Sequence, residues 1–136
     1  MHLDLNSLFS GLAGVLVGAV ITYILQHRLL DKQLAAADKS HIRTAKFDTA
    51  RRLFGYRHSI MGDGFSTAMN EVFVVFGDSP SVMRAMGGLY GALSAPGKPM
   101  AEDALISFLK AICDDLGIDY STLNDSYFIK TFNARN

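Results

Sequence analysis

Residues 8–25 read LFSGLAGVLVGAVITYIL, an 18-residue run without charge or proline, whose polar side chains are Ser10, Thr22 and the phenol of Tyr23. With Ser7 and Gln26 the run reaches 20 residues. At about 1.5 Å per residue a helix of that length spans roughly 30 Å, the thickness of a bilayer's hydrocarbon core. A chain in lipid has to satisfy its own backbone, and a single run does so as a helix. A cleaved signal peptide would need a basic leader, a shorter apolar stretch and a small-residue cleavage site. Here His2, Asp4 and Asn6 lead the run, and bulky Tyr23, Ile24 and Leu25 end it. The reading is a membrane anchor over residues 1–26.

Charge sets the expected orientation. No Lys or Arg precedes the run, while Arg28, Lys32, Lys39, Arg43 and Lys46 follow it. The excess of cations on one side predicts the N-terminus outside and the remainder of the chain in the cytoplasm. Ser10, Gly14, Gly18 and Thr22 recur every four residues, with Gly11 beside them. Small residues on one stripe let helix backbones approach, so these five positions are the expected helix-packing face of a homo-oligomer.

Residues 26–58 carry eight Lys/Arg against three Asp, and residues 59–136 carry five Lys/Arg against nine acidic residues. A basic stalk (27–58) is therefore expected to join the anchor to one small acidic helical domain (59–136). The lone Cys113 excludes a disulfide framework within the chain and fits a reducing compartment. No proline interrupts residues 26–56, and Leu30, Leu34, Ala37 and His41 step by three and four. The spacing predicts a long helix continuing from the apolar run, with a seam thin enough that any coiled coil would be weak. The stalk's cations fit anionic lipid. Arg51, Arg52, Arg57 and His58 are the candidate residues for a specific anion or nucleotide site.

Three further helices are expected. Gly62, Asp63 and Gly64 break the chain, and Asp63 is placed to cap a helix whose apolar face is Phe65, Met69, Val72, Phe73 and Phe76. Val74 and Val75 make most of its circumference apolar, which predicts a central helix. Ser79 and Pro80 read as N-cap and first residue of the next, with Val82, Met86, Leu89, Tyr90 and Leu93 on its face. Gly87, Gly88 and Gly91 inside it each cost about 1 kcal/mol relative to alanine, which predicts close packing or a break there. After residues 94–99, Glu102 and Asp103 suit a helix start, Leu105, Phe108, Leu109, Ile112 and Leu116 form a face, and Gly117 suits the position after the last turn. The tail from Tyr127 is apolar enough to dock, as a short strand or an irregular segment.

Chemistry is sparse. His2, His27, His41 and His58 stand far apart and no cysteine pair exists, so a zinc site lacks its local spacing. No nucleophile elbow, metalloprotease, phosphate-loop or dinucleotide signature occurs. Asp114 and Asp115 are neighbours on a helix and point about 100° apart, which suits salt bridges better than one shared ion or a hydrolase's carboxylate pair. No cofactor, metal or catalytic activity is expected.

Residues 46–93 contain Lys46-Phe47-Asp48, the stretch RRLFGYR (51–57), AMNEVFVVF (68–76), a proline turn and a helix. This resembles a family of short bacterial membrane-anchored proteins catalogued as a domain of unknown function. The matching positions are Arg57, Ala68, Met69, Asn70, Val72 and Phe76, with Tyr127-Phe128 similar to that family's tail. The resemblance departs at residues 87–91. It implies a bacterial inner-membrane protein with an all-helical cytoplasmic domain and assigns no activity. Two functions follow as expectations. The first is a single-pass protein whose domain serves assembly or binds a protein partner, with the lipid bilayer as its other contact and no duplex nucleic acid. The second is an oligomeric membrane effector of antiviral defence that senses a nucleotide and perturbs the bilayer.

Overall fold

The computed structural model describes residues 5–95 and 101–130, with side chains from Gly14 onward. It is all-α: α1 (Leu5–Tyr56), α2 (Asp63–Val75), α3 (Pro80–Ser94), α4 (Ala101–Leu116) and the single turn α5 (Ser126–Ile129), with no strand among the described residues. Two compact units divide it, Met1–His41 and Ile42–Asn136.

The first unit is helix alone. Among the described residues, nothing beyond the helix's own backbone lies within 4 Å of a Cβ at Gly14 or Gly18, and the Thr22 hydroxyl donates to the Gly18 carbonyl at 2.8 Å. Ser10 and Gly11, like all of residues 8–13, lie outside the described side chains. Among the described residues no helix is long and apolar enough to cross a membrane.

The second unit is built on the last turns of α1. Thr49, Ala50 and Leu53 are buried there, so the end of the basic stretch 27–58 contributes to the core. Leu53 shares one apolar cluster with Phe65, Val72 and Phe76 of the α2 region, Val82 and Leu89 of α3, and Phe108, Leu109 and Ile112 of α4. Removing a side chain of that size from water contributes about 1.5–3 kcal/mol. All five residues expected on the face of α4 are buried, and Cys113 beside them is buried too.

The end of α4 closes as its sequence demands. Gly117 adopts φ +70°, and the amides of Ile118 and Gly117 donate back to the carbonyls of Cys113 and Asp114 at 2.8 and 3.2 Å. These are the two bonds of a Schellman turn, which needs the left-handed conformation that glycine adopts without strain. Gly64 serves a different need: a Cβ there would meet the Tyr56 ring at 2.7 Å.

Several expectations are corrected. Gly62 is the N-cap of α2 and Asp63 its first residue. α2 is not central, since Phe73 and Val74 are 59% and 86% exposed, while Ala68 is buried in their place. A helix packed on one side has room for one stripe, and 65, 68, 72 and 76 fill it. Ser79 and Pro80 start α3 as expected, yet Tyr90 points outward at 73% exposure. The helix does not break at its glycines, and nothing packs within 4 Å of a Cβ at Gly87, Gly88 or Gly91. The tail docks through Phe128, as a helical turn instead of a strand, with its ring edge-on to Tyr120.

Candidate functional site

Three groups of polar side chains in the second unit bear on a site. The first is a buried ammonium. Lys46 leaves α1 on the core side, where it is 8% exposed, and its Nζ reaches Asp78 at 2.8 Å and Asp115 at 3.0 Å. The Phe76 ring lies 5.2 Å from the same nitrogen. Burial pulls the lysine's pKa down, but hydrogen bonds to Asp78 and Asp115 outweigh it and leave the pKa above the ordinary lysine value. The bond from Lys46 holds the Asp78 carboxyl below its ordinary range. One cation thus ties α1 to the turn before α3 and to the last turn of α4. Of the two aspartates that end α4, Asp115 forms a salt bridge, to Lys46, and Asp114 accepts from the Tyr120 hydroxyl at 2.9 Å.

The second place is the pair Arg52 and Glu71, joined by a short charge-assisted bond, with the Thr49 hydroxyl donating to the same carboxylate at 2.9 Å. The bond from Arg52 holds Glu71 below its ordinary range. The third is a groove of about 520 Å³ lined by Arg57, His58, Glu102, Leu105, Ile129 and Lys130, among others. Arg57 donates to the carbonyls of Phe54 and, at 2.8 Å, Lys130, so it fastens the tail to the end of α1.

The four candidate anion-site residues are therefore not gathered. Arg51 is exposed and pairs with Asp48 at 3.1 Å, Arg52 pairs with Glu71, and Arg57 with His58 borders the groove. Helical geometry explains the split, because consecutive residues point about 100° apart and Arg51 and Arg52 cannot share one ligand from a single helix. Spacing gave no sign of Lys46 as the best-connected cation, since its partners lie 32 and 69 positions away. Among the described residues no group of three or more His, Cys, Asp or Glu side chains is placed to hold a metal ion.

These geometries define a small all-helical domain whose charged clusters serve packing. No family model, curated protein or solved structure matches the chain.

The ion pairs make domain stability pH-dependent in a stated direction. Asp78 and Glu71 have depressed pKa values, so their contribution is present above the unfolded carboxylate pKa and fades as pH falls through the folded values. Lys46 is raised, so its contribution is complete below the unfolded lysine pKa and is lost as pH rises through the folded value. Burial raises the Cys113 thiol and the hydrogen bond to Asp114 raises the Tyr120 phenol, so both add to the loss at alkaline pH. Thermal melts should show a plateau from about pH 5 to 8, between the carboxylate and thiol ranges, with decline on both sides. Lys46→Met should lower stability by about 1.5–3 kcal/mol and make the alkaline decline shallower. An unchanged melt would mean that the ion pairs are solvated.

Proposed function

We propose that the chain is a non-catalytic, single-pass membrane protein whose helical domain serves assembly or binds a protein partner. The observation that carries this reading is the uncharged run at residues 8–25 followed by the cations Arg28, Lys32, Lys39 and Arg43. The run is as long as a hydrocarbon core requires, and the asymmetry of charge favours a cytoplasmic domain. Gly14, Gly18 and Thr22, open on the outside of the helix, suit contact between membrane helices. The domain's charged side chains support the structural part of the reading, because its ion pairs join its own elements. Its surface supports the binding part. Phe73 and Val74 of α2, Tyr90 of α3 and Met61 between α1 and α2 are all more than half exposed.

The test is extraction and topology in bacterial cells. The full chain should stay with membranes through alkaline carbonate and float with vesicles. Trypsin should cut the domain in inside-out vesicles, at exposed sites such as Arg84, and spare it in intact spheroplasts. Release by carbonate would overturn the anchor, and cleavage in spheroplasts would overturn the orientation.

A further inference from the structure

A seven-residue repeat runs along α1 below the apolar run. Residues 26–32, 33–39 and 40–46 read QHRLLDK, QLAAADK and SHIRTAK. Aligned this way, Gln26, Gln33 and Ser40 fall in one column, His27, Leu34 and His41 in the next, Asp31 and Asp38 in another, and Lys32, Lys39 and Lys46 in the last. In heptad notation the second column is a, and the fifth, Leu30, Ala37 and Thr44, is d. A strict seven-residue pattern on a helix keeps one seam facing a partner through a left-handed supercoil. Among the described residues nothing covers the seam: Leu30 and Leu34 are 54% and 63% exposed, and His27, Ala37 and His41 are exposed as well.

The charges are sorted about that seam. Arg28, Lys32, Lys39 and Arg43 take positions b, f, f and c, all away from a and d.

We infer that residues 26–44 of α1 form a parallel, in-register coiled coil with a second copy of this chain, through His27, Leu30, Leu34, Ala37 and His41. The flanking columns choose both occupant and direction. A parallel copy sets each g residue against the e residue of the following heptad, which pairs Gln26 with Asp31 and Gln33 with Asp38 of the other copy. An antiparallel copy sets e against e, aspartate against aspartate, which is repulsive. The inference rests on the membrane reading for its concentration: three heptads with alanine and histidine in the seam are short, and anchoring in one bilayer raises the effective concentration of parallel copies. It also separates two faces, because Gly14 and Gly18 fall at b and f in this register.

The experiment is cysteine crosslinking of the full chain in membranes, with Cys113 left in place because it is buried. Leu30→Cys and Leu34→Cys should give disulfide-linked dimers several-fold above Lys32→Cys and Lys39→Cys, since a and d side chains approach their counterparts closely enough for a disulfide. His41→Leu added to Leu34→Cys should raise the yield, because a polar a residue weakens the pair. Equal yields at all four positions, or none above the unsubstituted chain, would overturn the coiled coil. Flotation of the same samples separates the two readings. Dimers from a chain that does not float keep the seam and remove the anchor; floating chain without seam dimers removes the seam alone.

Discussion

Placing arginine at both Val15 and Val20 is expected to move the chain from the membrane pellet to the soluble fraction. Each charge near the middle of a membrane helix costs about 2.5–3.5 kcal/mol on insertion scales, so two cost about 5–7 kcal/mol. Val15 and Val20 are 72% and 56% exposed and belong to the first unit, so neither supports the domain's core. The melting transition of the domain should therefore be unchanged in the same protein. Fractionation followed by a thermal melt checks both halves. A double variant that stays in the pellet through carbonate would sink the membrane reading, whereas one that melts early would show that α1 supports the domain beyond residues 42–56.

Phe108→Ala is the second large effect, and it falls on the domain alone. Phe108 has no exposed surface and lies in the cluster with Leu53, Phe76 and Leu89. Truncating a buried phenylalanine removes its transfer free energy and leaves a cavity, together about 3–5 kcal/mol. A small domain has only about 5–15 kcal/mol in all. The variant should melt more than about 10 °C lower and give up protease-resistant domain at 37 °C. Phe108→Leu, which keeps most of the volume, should cost less than half as much. Membrane partition of Phe108→Ala should remain that of the parent. A loss below about 1 kcal/mol would place Phe108 outside a packed core.

The two units differ in how much of them a linear reading reaches. α4 is legible throughout: 105, 108, 109, 112 and 116 step at helical spacing, acidic residues sit in its first turn, and Gly117 ends it. α2 is legible as a helix but not in its facing. Residues 72–76 are five consecutive apolar side chains, so periodicity offers no single face, and Ala68 carries too little hydrophobicity to mark itself as core. The glycines of α3 show the limit of a propensity argument. Their cost is real, yet among the described residues nothing lies within 4 Å of a Cβ at any of the three.

The candidate site divides the same way. Arg51, Arg52, Arg57 and His58 stand out in sequence because they are close together, and the fold sends them to different partners. Lys46 stands out only once the chain has folded back, bringing Asp78 and Asp115 to one nitrogen. Arg57 meets the Lys130 carbonyl from 73 positions away.

By itself the sequence determined the uncharged run at 8–25, the cations behind it, the heptad spacing of residues 26–46 and the positions of α1 to α4. Each of these depends on neighbours within a few turns, where helical period, capping and local charge act. The tertiary structure alone decided that Phe73, Val74 and Tyr90 face outward, that Ala68 is core, and which charges meet. Those outcomes depend on how distant segments return to one another, and a period of 3.6 residues carries no information about what stands opposite.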